Sequence, residues 1–196
     1  MSHFVGLVID SLSSLDRYDE DLKIEPYIIH EATEAYEVAS TTALNILDNF
    51  ESFSDGINKD ELINLVNSKK PLELIEWYTV WGNYHHCDKN GNIYSTYNPE
   101  SKWDWYEVGG RWDGYIPTKS GKYVNQCTIQ EVDWEKIKVP FCFIDINGEW
   151  QEKGEMGWWC TVTNEKEDWD KIFKDFSEYI QEHYPDELIT VIDFHI

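Results

Sequence analysis

Residues 188–195 read Leu-Ile-Thr-Val-Ile-Asp-Phe-His, a short run dominated by apolar and β-branched side chains. Such a run predicts a buried β-strand. A second run of the same kind, Phe4-Val5-Gly6-Leu7-Val8-Ile9, lies near the start of the chain. We therefore expect the N-terminal and C-terminal strands to lie inside one sheet.

Three helices are predicted between the opening strand and residue 82. Helix-forming residues dominate Glu31–Phe50, although the Ser40-Thr41-Thr42 run is expected to weaken or break that helix. Its predicted apolar side comprises Ala32, Ala35, Tyr36, Ala39, Leu44, Leu47 and Phe50. Asn58 is a predicted N-cap for the second helix, with Glu61 at the capping-box position. Pro71 suits the first turn of a third helix that reaches about Trp81.

From Tyr84 the pattern changes to the period of two that is typical of strands. The Asn90-Gly91 pair predicts a hairpin between residues 86 and 93. Further strands are expected at Trp103–Tyr106 and Arg111–Ile116, joined as a second hairpin, and at Val139–Ile146 and Trp158–Val162. The Asn147-Gly148 pair is expected to turn the chain towards Trp150.

The clearest helix signal precedes the last strand. Asn164 is the predicted N-cap, Glu167 stands at its capping-box position, and Pro185 ends the helix. The apolar stripe comprises Trp169, Ile172, Phe173, Phe176 and Ile180.

These elements predict an α+β fold with an antiparallel-rich sheet and helices mainly on one face, a two-layer sandwich. The 196 residues contain no linker or low-complexity stretch, so we expect a single domain over 1–196. It would comprise an acidic helical segment at 16–82, a β-rich segment at 83–163, and a C-terminal helix and strand at 164–196.

Acidic residues far outnumber basic ones, 38 against 16, for a net charge of -22. Such a charge repels a phosphate backbone and excludes ordinary direct binding to nucleic acid. Residues 10–61 alone carry a net charge of -11, and residues 165–187 carry -6. Two interpretations stay open: a solvated surface that maintains solubility, or a face that docks onto a basic protein.

Four cysteines, Cys87, Cys127, Cys142 and Cys160, show no CxxC pair and no zinc-ligand spacing. The N-terminus lacks the basic and apolar regions of a signal peptide, and nothing approaches a membrane span. We expect free thiols and a location in the cytoplasm of a bacterial host, without contact to a membrane.

The most unusual segment is Asn98–Trp112, which combines aromatics, adjacent glycines, a lysine and an arginine. Arg111 offers a planar fork for carboxylate or phosphate, and Trp and Arg are favoured at interface hot spots. Candidate binding residues are Lys102, Trp103, Asp104, Trp105, Tyr106, Gly109, Gly110, Arg111 and Trp112. The alternative is a tight hairpin in which Arg111 pairs with a local acid such as Asp104 and the tryptophans fill the core.

The string Tyr97-Asn98-Pro99, Ser101-Lys102-Trp103-Asp104-Trp105-Tyr106 and Gly109-Gly110-Arg111-Trp112 resembles a family of uncharacterised bacteriophage and mobile-element proteins. The resemblance continues in residues 145–150, 154–159 and 193–196. It covers roughly the C-terminal half and the opening strand, whereas the acidic helices match poorly. It implies a phage context, in which small acidic proteins often inhibit host or defence machinery, but it supplies no activity.

Asp193 and His195 stand two positions apart on the last strand, so both side chains point to one face. A carboxylate there can orient an imidazole for acid–base chemistry. Asp104, Arg111, Asp193 and His195 are therefore the candidate catalytic residues, set against the simpler interpretation of an ordinary histidine at a strand end. No GxSxG, HExxH, Walker A or GxGxxG motif occurs, which favours a binding protein over an enzyme.

Alternation along a strand places only two possible ligands of the run His85-His86-Cys87-Asp88 on each face, which is too few for a closed metal site. The following Asp88–Asn92 segment resembles a calcium loop, but Ile93 stands where the glycine belongs. We expect a hairpin turn, no metal and no cofactor.

The leading hypothesis is a phage-type acidic protein that binds and inhibits or modulates a host or defence protein, with an acidic surface that mimics nucleic acid. The alternative is an enzyme or sponge for a small nucleotide or phosphate ligand. In that alternative Lys102 and Arg111 hold phosphate, the aromatics stack a base, and His195 with Asp193 moves a proton.

Overall fold

The computed structural model describes residues 2–52, 56–157 and 161–196. Its contacts divide the chain into two compact units. The first, which we call the sheet unit, combines Met1–Leu22 with Asn98–Ile196. The second, the helical unit, is Lys23–Tyr97. The single domain over 1–196 stays a prediction.

The α-helices of the described residues are α1 (Ala32–Asp48), α2 (Lys59–Asn67), α3 (Pro71–Trp81) and α4 (Trp169–His183). The strands are β1 (His3–Ile9), β2 (Tyr27–His30), β3 (His86–Cys87), β4 (Ile93–Ser95), β5 (Trp105–Val108), β6 (Ile116–Pro117), β7 (Tyr123–Val124), β8 (Gln126–Thr128), β9 (Cys142–Ile144), β10 (Trp150–Glu152), β11 (Glu155–Met156), β12 (Val162–Thr163) and β13 (Leu188–His195). Short 3-10 turns cover Leu12–Tyr18, Phe50–Ser52, Gly110–Trp112 and Ile129–Glu131.

The sheet unit is built on a six-stranded sheet in the order β10-β9-β1-β13-β5, with β8 also paired to β13. Its central pair joins the two ends of the chain, because β1 and β13 run antiparallel from His3 opposite His195 to Ile9 opposite Ile189. Only the β1–β9 pair of this sheet is parallel. The predictions of an α+β fold, a mostly antiparallel sheet and terminal strands inside it are confirmed.

Both faces of this sheet are buried. One face packs against α4 through Trp169, Phe173 and Ile180. The other face packs against the Leu12–Tyr18 turn and Trp103. The two-layer sandwich is not confirmed, since the described part of the sheet unit contributes α4 alone as an α-helix and the remaining helices build a core of their own.

The helical unit packs α1, α2 and α3 around a core with a small sheet in the order β2-β4-β3. The predicted break at Ser40–Thr42 is wrong, because α1 continues to Asp48. Its buried face consists of Ala35, Ala39, Ala43 and Ile46. Tyr36 and Leu44, predicted as apolar core positions, lie on the surface with 42% and 50% exposure. Packing of the alanine face outweighs the weak helix propensity of the Ser/Thr run.

Several local signals are confirmed. The Asn58 side chain accepts hydrogen bonds from the N–H groups of Asp60 and Glu61, and Pro71 opens α3. The predicted turns at Asn90-Gly91 and Asn147-Gly148 join β3 to β4 and β9 to β10. Gly91 and Gly148 adopt φ values of 93° and 78°, which favour glycine.

Two predictions are wrong. Asn164 does not cap α4, because the helix begins only at Trp169, with Asp168 at the N-cap position, and Asn164 itself has a left-handed φ of 52°. The second hairpin does not form either. β5 pairs with β13, and Gly110–Trp112 turns as a 3-10 helix. The predicted Trp158–Val162 strand lies partly outside the described residues, and β12 begins at Val162.

Candidate functional site

The end of the central strand pair gathers side chains from three strands. His195 on β13 lies opposite His3 on β1 and opposite Trp105 on β5. Asp193 lies two residues earlier on β13, so it shares the face of His195. The same face carries the α4 core farther along the sheet. Pairing of β13 with both neighbours therefore fixes this group of polar side chains at one edge of the core.

Each histidine is held by its own carboxylate. His3 Nδ1 lies 3.0 Å from Asp193 Oδ1, and His195 Nδ1 lies 2.6 Å from Asp104 Oδ1. The two imidazole ring centres are 4.9 Å apart, with their planes at 73°. We call His3, Asp104, Asp193 and His195 the histidine–carboxylate cluster.

Asp193 is the most deeply buried member, with 1% exposure. Its Oδ2 accepts a hydrogen bond from the Arg111 backbone N–H at 2.9 Å, which leaves Oδ1 for His3. Gly110 makes this approach possible. A Cβ at Gly110 would lie 2.6 Å from Asp193 side-chain atoms, and its φ is 50°. The adjacent glycines of the unusual segment thus let the backbone reach a buried carboxylate.

Trp105 flanks the cluster. Its ring stacks on His195 at 5.0 Å between centres and 19° between planes, while His3 meets it edge-on at 5.5 Å. Trp105 remains 43% exposed. The stack restricts His195 and leaves part of a large aromatic surface for another molecule.

One buried nitrogen of the cluster has no partner among the described residues. His195 Nε2 is buried and makes no hydrogen bond among the described residues. Buried polar atoms are normally hydrogen-bonded, and leaving one unpaired costs free energy of folding. A ligand atom that bonded to this nitrogen would recover that free energy.

The other predicted binding residues divide between structural roles and exposed positions. Lys102 pairs with Glu152 at 2.7 Å, and Trp103 is buried in the core. Trp112 packs against the α4 core, and Tyr106 against Phe194. Arg111 is exposed, and its backbone rather than its guanidinium contacts Asp193. The structure thus brings Asp104, Asp193 and His195 together, without Lys102.

The tight-hairpin interpretation is wrong in its key contact. Asp104 bonds to His195 rather than to Arg111. His3 was missed by sequence reasoning. Its signal was the register of the two terminal strands, because antiparallel pairing over their full length places residue 3 opposite residue 195.

The His85–Asp88 segment forms the predicted turn. Asp88 accepts hydrogen bonds from Asn90 N–H and Asn92 N–H, and these bonds lower the pKa of the Asp88 carboxyl. His86 stacks on Tyr94 instead of turning towards a ligand. Within the described ranges no group of three or more His, Cys, Asp or Glu side chains is placed to hold a metal ion.

The three described cysteines, Cys87, Cys127 and Cys142, are free thiols. Burial raises the pKa of each thiol, to about 11 for Cys127 and well above its ordinary value for Cys142. A raised pKa disfavours the reactive thiolate, so none of the three is suited to nucleophilic chemistry. Cys160 lies outside the described residues.

The acidic surface of the helical unit is a second candidate functional site. Between Lys23 and Lys59 the sequence contains seven acidic residues and no lysine or arginine. All of the described ones are exposed. None of them forms an ion pair with a lysine or arginine. These residues are Glu25, Glu31, Glu34, Glu37, Asp48 and Glu51.

The acidic segment around α4 is different. Asp175 pairs with Lys171, and Glu178 with Lys174, along the helix surface. Glu165, just before α4, pairs with Lys153. Three of the nine acidic residues in 165–187 therefore pair with a lysine, whereas none of the described acidic residues of α1 and its flanks pairs with a lysine or arginine.

Comparisons with protein-family models, with curated proteins and with solved structures found no match to this chain. Across the described stretches no helix is both long enough and apolar enough to cross a membrane.

Proposed function

We propose that the protein binds a host or defence protein and inhibits or modulates it, with the exposed face of α1 docking onto a basic surface of that partner. The observation that carries this proposal is the set of exposed carboxylates between Lys23 and Lys59 that have no lysine or arginine partner among the described residues, in a chain of net charge -22. Glu34 contacts His30, at 3.2 Å. The resemblance of the Asn98–Trp112 segment to phage proteins supplies the biological context.

The α1 face has the composition of a docking surface. Glu34, Glu37, Leu44 and Asp48 lie on one side of the helix, since their spacing of three, seven and four residues keeps them in register with the helical turn. Leu44 belongs to this row and is half exposed. An apolar contact flanked by negative charge provides both area to bury and electrostatic steering.

A basic partner also explains why the charge is left unpaired. Carboxylates without local cations create a field that accelerates the encounter with a positively charged surface, and salt screens that field. A partner whose basic surface normally contacts nucleic acid would meet this requirement, in the manner of a nucleic-acid mimic.

The geometry favours this function over the nucleotide alternative. Lys102, proposed to hold phosphate, is occupied by Glu152. The exposed rim of the histidine–carboxylate cluster includes the carboxylates of Asp104 and Glu107, which repel phosphate. The nucleotide site stays a prediction in which the exposed Arg111 is the remaining candidate for holding phosphate.

Co-purification from a bacterial host with charge-reversed variants tests the proposal. The test variant combines Glu34→Lys, Glu37→Lys and Asp48→Lys. The matched control, Asp175→Lys with Glu178→Lys and Glu182→Lys, makes the same charge change on α4. We expect a protein partner retained at low salt by the wild type and the control but lost by the α1 variant. Equal retention by both variants would count against docking through α1.

A further inference from the structure

The carboxylates of the histidine–carboxylate cluster fix the state of its imidazoles. An ionised carboxylate accepts hydrogen bonds only, so the Nδ1 atoms of His3 and His195 are the protonated donors towards Asp193 and Asp104. In a neutral imidazole the other nitrogen, Nε2, then carries a lone pair. Metal-ligating histidines usually show this pattern, with one ring N–H donated to a carboxylate and the other nitrogen free.

Neither lone pair accepts a hydrogen bond from the described residues. His195 Nε2 is buried without a partner, although the residue is only 4% exposed. Nε2 of His3 makes no hydrogen bond to the described residues, and its side chain is 10% exposed. Two acceptor nitrogens on adjacent rings are therefore available to a Lewis acid, one of them buried on His195 and the other on the partly exposed His3 side chain.

The negative charge of the cluster favours a positively charged ligand. With both imidazoles neutral, Asp104 and Asp193 contribute two negative charges, and Asp193 is almost fully buried. Glu107 lies opposite Asp193 on the same sheet face. A buried carboxylate needs compensation, and a divalent cation on the imidazoles would balance the two carboxylates that hold them.

We propose that Nε2 of His3 and Nε2 of His195 together bind one divalent first-row transition-metal ion, with Asp193 and Asp104 as the outer partners that orient the rings. Imidazole favours Zn²⁺, Ni²⁺ and Cu²⁺, whereas Mg²⁺ and Ca²⁺ favour oxygen ligands. Two imidazoles on one tetrahedral ion, with metal–nitrogen distances of about 2.1 Å, have ring centres about 5 Å apart. The centres of His3 and His195 are 4.9 Å apart.

Such a site is open rather than closed. The described part of the chain offers no third His, Cys, Asp or Glu ligand, so water or an added ligand completes the coordination shell. Catalytic metal ions keep exchangeable positions of this kind, whereas structural zinc sites use four protein ligands. This site departs from the sequence-based expectation of no metal.

Isothermal titration of tag-free, chelator-stripped protein with ZnSO₄, NiCl₂ and MgCl₂ tests the site. We expect one Zn²⁺ or Ni²⁺ per chain and no binding of Mg²⁺. His3→Gln and His195→Gln should each weaken binding at least tenfold. The matched control is His86→Gln, because the exposed His85–His86 pair has ring centres equally far apart, at 4.9 Å.

Long-range ¹H–¹⁵N NMR of the imidazoles provides a second readout that is independent of any variant. Zn²⁺ should shift the Nε2 resonances of His3 and His195 and leave their protonated Nδ1 assignments in place. Absence of binding to the wild type, unshifted Nε2 resonances, or binding lost only in His86→Gln would each overturn the proposal. If His195→Gln fails to fold, His3→Gln and the NMR spectra decide the outcome.

Discussion

Gly110 and Asp193 illustrate how single residues build the cluster. The left-handed backbone at Gly110 brings the Arg111 N–H to Asp193, and no side chain fits between them. The contact satisfies one oxygen of a buried carboxylate and leaves the other for His3. Removal of either bond would leave charge uncompensated in the protein interior.

A Gly110→Ala substitution should therefore lower the free energy of unfolding by about 3 kcal/mol, through backbone strain combined with overpacking against Asp193. Gly121→Ala is the matched control, since Gly121 has a φ of 82° but nothing within 4 Å of the added Cβ. We expect the control to lose about 1 kcal/mol from strain alone. Urea unfolding of both variants measures the difference, and equal losses would show that the Asp193 contact is unimportant.

The cysteines give a prediction about reactivity. At pH 8 a thiol with a pKa of about 11 contains roughly two hundredfold less thiolate than an ordinary cysteine of pKa about 8.5. We expect iodoacetamide to alkylate Cys127 and Cys142 slowly in the folded protein and rapidly in urea. Mass spectrometry of the individual peptides measures each rate. Fast alkylation of Cys142 in the folded chain would contradict its complete burial.

At the scale of elements, α4 covers one face of the central sheet. Phe173 lies on its buried side between Phe143 and Trp134, and the ring centres are 6.0 and 6.4 Å away. Lys174, the next residue, is exposed. The helix therefore presents its apolar stripe to the strands that also carry the histidine–carboxylate cluster.

Phe173→Ala should destabilise the protein by about 3–5 kcal/mol, because it leaves a cavity under α4. Lys174→Ala, on the exposed surface of the helix, should change stability by less than about 0.5 kcal/mol. Thermal or urea unfolding monitored by circular dichroism compares the two variants. A similar loss in both would mean that α4 does not cover the sheet as described.

Periodicity within the chain was sufficient to predict the elements that depend on local sequence. The apolar runs of β1 and β13, the stripe of α4, the Asn58 cap and the Asn-Gly turns are all present. The Asn164 cap and the break at Ser40–Thr42 are local signals that failed, whereas the failed hairpin involves a partner that is distant in sequence. β5 could pair with its neighbour after Gly109-Gly110, but it pairs with β13 instead.

In the histidine–carboxylate cluster, too, the local features were predictable and the contacts between distant strands were not. The spacing of Asp193 and His195 predicted their common face, since alternation is a local property of strands. Their partners depend on register between strands, so the pairing of His195 with Asp104 was only one of several arrangements open to the sequence. His3 has no local signal at all, because it joins the cluster through strands at opposite ends of the chain.

At the scale of the whole molecule, the distribution of charge matters more than its total. The net charge of -22 includes many carboxylates that pair with lysine or arginine in the sheet unit, such as Glu100 and Glu149 with Arg17. The described carboxylates between Lys23 and Lys59 pair with no lysine or arginine. A general role in solubility would not require one segment to exclude every cation, whereas a docking face for a basic protein would.

The affinity of the captured partner, measured from 50 to 300 mM NaCl, tests this account most directly. For the wild type and for the reversal of Asp175, Glu178 and Glu182, we predict binding that weakens steadily as salt screens the charges. The reversal of Glu34, Glu37 and Asp48 should bind at least tenfold more weakly at 50 mM. Wild-type affinity in that variant, or an affinity independent of salt, would contradict docking through the acidic face of α1.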